Sequence, residues 1–283
     1  MDAYDAVVAQ WPVEVETLDL ESRFGTTRIL AAGPTVGEPL VLLHGGGATS
    51  SVWFADVESL ARERRVYAVD LICDAGRSRP RRGAVRTRRD VADWFATVLD
   101  GLGVERADVA GHSYGAWVAL AAAVETRRVR RLALIDPTTC FAPMARGYVR
   151  RSLPAVVFGG EKRWRRFLAW ETGGRALDPA WLTLVATRAQ GRNRAKVVLP
   201  KRPSDEELRA LDAPVLLVLG GQSQVHDVTA VREHAEQVLR EVSVVMLPDA
   251  THHTLPQQHA IELDPFLLDF FAKHDPVAAT PPR

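Results

Sequence analysis

Apolar residues recur along this chain with more than one period. From Val13 to Leu20, and again from Thr26 to Ala32, they alternate with polar residues as in half-buried strands, and Arg23-Phe24-Gly25 supplies the turn between them. Pro39–Leu43 and Arg65–Asp70 are nearly continuous apolar runs, the pattern of strands buried on both faces of a parallel sheet. Val52–Arg64 reads as a helix between these runs. Thr87–Leu102 reads as another, because Val91, Trp94, Phe95, Val98 and Leu99 return at helical spacing. A strand at Ala107–Ala110, a helix at Gly115–Glu125 and a strand at Val129–Ile135 continue the series. Strands alternating with helices predict an α/β architecture, a doubly wound and mostly parallel sheet with right-handed crossovers.

The alternation stops at Asp136-Pro137. Residues 138–212 contain Trp164, Phe167, Leu168, Trp170, Trp181 and Leu184 but no strand pattern, and are read as an inserted helical segment. The sheet resumes at Pro214–Leu219, followed by a helix at Val228–Arg240, a strand at Val242–Leu247 and a helix at Ala260–Phe271. The expected organisation is a core of residues 1–137 and 213–274, the insert 138–212, and a Pro/Ala-rich flexible tail over 275–283.

Composition narrows the function classes. Thirty-six basic against 35 acidic residues leave a net charge of +1, so no broad field attracts nucleic acid or an anionic membrane. No stretch approaches the ~20 apolar residues of a spanning helix. Cys73 and Cys140 are too few for a disulfide scaffold and lack CxxC spacing, and no histidine pair has metal-site spacing. The N-terminal residues carry acids early and no basic segment before an apolar one, so a secretory signal is not expected. The expected compartment is the cytoplasm, with both thiols reduced.

The sharpest chemical signal is Gly111-His112-Ser113-Tyr114-Gly115, a G-x-S-x-G between a predicted strand and a predicted helix. A serine on so tight a turn needs small neighbours on both sides, and the helix behind it offers free N–H groups to an oxyanion. Ser113 is therefore the candidate nucleophile. The earlier run His44-Gly45-Gly46-Gly47 lets backbone N–H groups face a cleft, and no Gly-Lys-Ser/Thr follows to make it a phosphate loop. Gly46 and Tyr114 are the candidate oxyanion donors.

Together with Trp53, Ala68-Val69-Asp70, Asp74-Ala75-Gly76-Arg77-Ser78, Leu134-Ile135-Asp136-Pro137 and Pro248-Asp249-Ala250-Thr251-His252, these motifs resemble the α/β-hydrolase superfamily almost end to end. Within it, the chain is most similar to capped, carboxylesterase-like bacterial members. The resemblance implies Ser113 as nucleophile, His252 as base and residues 138–212 as a cap over the pocket. It implies no cofactor and no metal, and as partner a small, partly hydrophobic substrate. His252 follows the last predicted strand, which can bring it to the sheet edge where Ser113 lies. His253 is its neighbour and the competing candidate, read as surface or cap-facing, while His226 and His259 read as solvated.

The sequence departs from the family pattern twice. Thr251 stands where a glycine usually precedes the histidine. After the strand at 215–219 the usual acid slot, counted back from Asp227, holds Ser223. A hydroxyl can orient an imidazole but cannot balance an imidazolium, and loss of the carboxylate costs on the order of 10⁴ in kcat in a serine protease. Three readings follow: Asp136 supplies the carboxylate from a displaced position, Asp227 swings in although it reads as a helix N-cap, or no carboxylate acts and Ser223 or water orients the ring. The first fits hydrolysis of an ester, thioester or lactone. The last fits non-hydrolytic chemistry on the same fold (cyclisation, acyl transfer or proton transfer) or a ligand-binding module without turnover.

Overall fold

The structure is a computed structural model, described for residues 2–74, 76–188 and 197–272. Its strands are β1 (Glu16–Ser22), β2 (Gly25–Ala32), β3 (Glu38–Leu43), β4 (Arg64–Val69), β5 (Arg79–Pro80), β6 (Ala107–His112), β7 (Val129–Ile135), β8 (Val215–Gly220) and β9 (Val242–Leu247). They form one sheet in the order β1-β2-β4-β3-β6-β7-β8-β9, with β5 paired to β2. From β4 to β9 every pairing is parallel, and β2 joins β1, β4 and β5 antiparallel. The chain thus has the doubly wound, mostly parallel sheet that its apolar runs predict.

Eleven helices are seen among the described residues: α1 (Ala3–Val8), α2 (Val57–Leu60), α3 (Arg88–Gly101), α4 (Tyr114–Thr126), α5 (Arg146–Phe158), α6 (Glu161–Glu171), α7 (Pro179–Arg188), α8 (Asp205–Arg209), α9 (Val228–Val238), α10 (Leu255–Gln258) and α11 (Ala260–Ala272). Alternate residues of β3 feed opposite sides of the sheet. Val41 and Leu43 pack with Trp94 of α3, Trp117 of α4 and Val231 of α9, while Leu40 and Leu42 pack with Leu60 of α2 and Leu267 of α11. Burial on both faces is why the central strands are mostly apolar, their few polar residues lying near the strand ends. Helices α5–α8 lie in the chain between β7 and β8. Apolar side chains of α5–α7, among them Tyr148, Phe167 and Trp181, join the cluster on the α2/α11 side.

Several local expectations are corrected. Val52–Arg64 is not one helix. A 3₁₀ turn spans Ser50–Phe54, α2 is a single turn, and Arg64 already begins β4. Ser59 Oγ reaches the Asp56 carbonyl at 2.9 Å and the Asp264 carboxylate, tying this short turn to α11. The short helix α1 carries no strong periodic signal and was not anticipated. Buried charge is paired: Asp108, buried on β6, meets Arg64 at 2.7 Å and Arg130 at 2.9 Å, and Arg131 is itself buried beside it. Residues 275–283, expected to fray, lie outside the described residues. Among the described residues no helix is long and apolar enough to cross a membrane.

Candidate active site

Ser113 sits at the bend between β6 and α4 with φ +56° and ψ −116°, a left-handed conformation rare for a non-glycine residue. Its flanking glycines are required by sterics. A Cβ on Gly111 would lie 2.4 Å from the Gly115 carbonyl oxygen, and one on Gly115 would lie 2.2 Å from that of Leu43. The bend aims Ser113 Oγ at His252 Nε2, 2.7 Å away. On the ring's other side, Nδ1 lies 2.6 Å from Oδ2 of Asp136.

Asp136 follows the end of β7 with φ +44°. Its Oδ2 also accepts from Ser223 Oγ at 2.7 Å, and Oδ1 accepts from the Gly220 N–H at 3.2 Å. Burial opposes ionisation here, but the His226 and His252 rings outweigh it and hold the carboxyl well below the usual carboxylate range. An ionised Asp136 accepts from Nδ1–H, which leaves the Nε2 lone pair facing the serine hydroxyl. Burial also pushes His252 below the ordinary imidazole value, against the opposite pull of Asp136. The ring is therefore a neutral base at neutral pH.

Of the acid candidates, the structure brings Asp136 to the ring and not Asp227, whose Oδ1 accepts the Ala230 N–H at 3.1 Å as the N-cap of α9. Ser223 does not touch the ring and reaches it only through Asp136.

The glycine loop after β3 lies over Ser113. A Cβ on Gly45 would come 3.2 Å from Ser113 Cβ, and one on Gly46 would come 3.5 Å from Tyr114 Cβ. His44 sets the loop's direction: Nε2 accepts the Leu71 N–H at 3.0 Å, so Nδ1 carries the proton and donates to the Gly45 carbonyl at 2.8 Å. In a trans peptide the Gly46 N–H then points the opposite way. Among the described residues neither the Gly46 nor the Tyr114 N–H donates to a protein acceptor. Asp74 takes the next N–H, that of Gly47, at 2.7 Å, and Asp70 takes those of Ser50 and Arg77, so both acids organise loops.

Three further residues escaped the sequence reading. His226 is buried rather than solvated, its Nε2 3.3 Å from Asp136 Oδ1. It is delivered by the same β8–α9 segment that carries Ser223. His112 donates from Nε2 to the His252 carbonyl at 2.9 Å, and burial keeps this ring neutral by lowering its pKa well below the ordinary value. Glu171, the last residue of α6, is buried against Thr251, His252 and His253. A signal for it existed, because Trp164, Phe167, Leu168 and Glu171 form an i, i+3, i+4, i+7 stripe with a carboxylate on the apolar face. His259 is also buried, and its Nδ1 meets Glu262 at 2.6 Å.

Ser113 is 8% exposed, His252 2% and Asp136 0%. Aromatic side chains of the inserted helices stand over them. The Tyr148 ring lies 6.2 Å from that of His252, and a Cβ on Gly47 would lie 3.9 Å from the Trp164 indole. Among the described residues no cluster of three or more His, Cys, Asp or Glu suits a metal ion.

A model described as the alpha/beta hydrolase family matches residues 40–263. Among curated proteins, carboxylesterase YbfK of Bacillus subtilis is 29% identical over 258 residues, covering 88% of this chain and 86% of that protein. An uncharacterized carboxylesterase, nap, of the same organism is 27% identical over 257 residues, covering 88% and 84%. Among solved structures, carboxylesterase CesB (YbfK) superposes with a TM-score of 0.90 at 27% identity, covering 96% of this chain and 97% of that one. The naproxen esterase of B. subtilis gives 0.88 at 27% identity, covering 95% of each chain.

Proposed function

The chain belongs to the alpha/beta hydrolase family and is a hydrolase of that type, and from this premise we propose that it hydrolyses esters through an acyl-enzyme on Ser113. His252 removes the serine proton as Oγ attacks the carbonyl carbon. The carbonyl oxygen becomes an oxyanion held by the N–H groups of Gly46 and Tyr114. Collapse breaks the bond to the leaving alkoxide, which takes the proton from His252 and departs as the alcohol. Water, deprotonated by the same imidazole, then attacks the acyl carbon. The acid is released and the Ser113 hydroxyl restored. Asp136 stays ionised throughout, orients the ring and balances its transient positive charge.

The observation that carries this reading is the unbroken relay of 2.7 Å from Ser113 to His252 and 2.6 Å from His252 to Asp136. A carboxylate on Nδ1 favours this reading over non-hydrolytic chemistry, which a neutral acid slot would suit better. We read the helices between β7 and β8 as a cap, because their aromatic side chains roof the relay. That apolar roof favours a small, partly hydrophobic substrate over a highly charged one. Ser223 is assigned to holding Asp136, not to replacing it.

Labelling with a fluorophosphonate, together with hydrolysis of p-nitrophenyl esters, tests the proposal. The wild-type protein should be labelled and active, and Ser113→Ala should be neither. Turnover that survives in Ser113→Ala would move the chemistry elsewhere.

A further inference from the structure

We propose that Glu171 is a positioning residue, a buried carboxylate on α6 that fixes the His252 main chain and lends the ring a second negative charge; this rests on the assignment of His252 as base. The carboxylate collects the donors of one short loop. Oε1 accepts the His252 N–H at 3.0 Å, and Oε2 accepts the His253 N–H at 3.2 Å, His253 Nδ1–H at 2.8 Å and the Thr251 hydroxyl at 3.4 Å. Burial works against its charge, but the His253 ring and these donors outweigh it and hold Glu171 below the usual carboxylate range.

This contact completes the pairing of His252. Its N–H goes to Glu171, its carbonyl to His112, its Nδ1 to Asp136 and its Nε2 to Ser113. Every polar atom of His252 thus has a partner, drawn from α6, from the β6–α4 bend and from the end of β7. The loop has no sheet or helix ladder to satisfy its N–H groups, and a buried N–H without an acceptor is costly. Thr251 acquires a reason as well. Where the family usually carries glycine, its hydroxyl reaches both Glu171 and Thr254, at 3.4 and 3.3 Å.

The charged and titratable groups facing the ring are Asp136 after β7, His226 after β8, His112 at the end of β6, His253 beside it, Tyr148 on α5 and Glu171 on α6. Only Asp136 and Glu171 are carboxylates. Removing the charge at 171 therefore makes the imidazolium harder to form.

Glu171→Gln keeps size and one acceptor oxygen but not the charge. Its kcat should fall about tenfold or more, as small displacements of a catalytic group do, with KM within about threefold. The His252 titration, followed by NMR of the ring Cε1–H, should move about half a pH unit lower, and the acid limb of kcat/KM with it. Glu171→Asp keeps the charge but withdraws the oxygens by one methylene, so it should lose kcat without moving the titration. Unchanged kcat and an unchanged His252 midpoint in a folded Glu171→Gln would overturn the assignment. If that variant does not fold, wild-type kcat in Glu171→Asp would overturn it instead. Inactivity of the wild-type protein would sink the hydrolase reading alone, since the NMR midpoint reports on Glu171 without turnover.

Discussion

Ser223 and His252 share one oxygen of Asp136: Oδ2 accepts the serine hydroxyl at 2.7 Å and faces the imidazole Nδ1 at 2.6 Å. A residue in the usual acid position thus serves a carboxylate that arrives from the neighbouring strand. Ser223→Ala should lower kcat only about tenfold or less, because the position is half-buried and water can replace the hydroxyl. Asp136→Asn should cost on the order of 10⁴. The double variant Asp136→Asn/Ser223→Asp places the acid one strand over and should recover at least about tenfold over Asp136→Asn alone. Steady-state kinetics on one activated ester decides this, and a double variant no better than the single one would remove Ser223 from the acid's neighbourhood in function.

The pH profile follows from two downward shifts. His252 lies below the ordinary imidazole range and Asp136 well below the ordinary carboxylate range. Above both, the base is neutral and the acid ionised, so kcat/KM should be flat near neutrality and fall on the acid side along one limb centred below about pH 6.5. An acid limb above that value would mean that the ring is less enclosed than the structure has it.

Far from the relay, Asp56 and Asp264 form a buried acidic pair. Burial first, and then each other's proximity, raises Asp56 well above the usual value, and burial raises Asp264 to about 6. Both oxygens of Asp56 and Oδ1 of Asp264 have no hydrogen-bond partner among the described residues. A carboxyl whose folded pKa is raised binds its proton better when folded, so its contribution to stability falls as pH rises above the unfolded value near 4. Asp56→Asn removes one ionisable group from the pair. Thermal unfolding should show a gain in Tm that is larger at pH 8 than at pH 5; an equal change at both would rule out a titrating pair.

Asp108 is the converse case, a buried carboxylate surrounded by cations. Arg64 and Arg130 bond it, and Arg131 lies 3.7 Å away. Asp108→Ala removes the carboxylate that Arg64 and Arg130 share, leaving Arg130 with Glu38 and Arg64 with the Phe271 carbonyl, and should cost about 3 kcal/mol in urea unfolding. Expression of a variant with the wild-type midpoint would show that water reaches the arginines.

The frame of the fold was legible because burial on both faces keeps β3, β4, β6 and β8 mostly apolar, and because Gly111 is demanded by a contact within the bend and Gly115 by the neighbouring end of β3. The same steric argument singled out Ser113. The carboxylate was not legible in that way. Asp136 and Ser223 end adjacent parallel strands, and only the β7–β8 register, with Ile135 opposite Val218, determines which side chain meets the ring. His226 was misread as solvated because polarity stood for exposure, whereas it is the buried neighbour of a buried acid. Glu171 was hidden by distance in the chain, since its partners lie about 80 residues later.

The inserted helices are stitched to the core at several places. Glu171 binds the loop of His252, while the Tyr114 hydroxyl and the Trp117 indole, both on the helix behind Ser113, donate to the carbonyls of Val198 and Lys201 at 3.0 and 2.9 Å. A chimaera that exchanged this insert for a relative's would therefore trade more than a specificity element. Glu171, Thr251 and His253 would have to travel as a matched set, and the backbone at 198–201 would have to keep its path beside Tyr114 and Trp117, so recombination breakpoints at 137 and 213 cut across these contacts rather than around them.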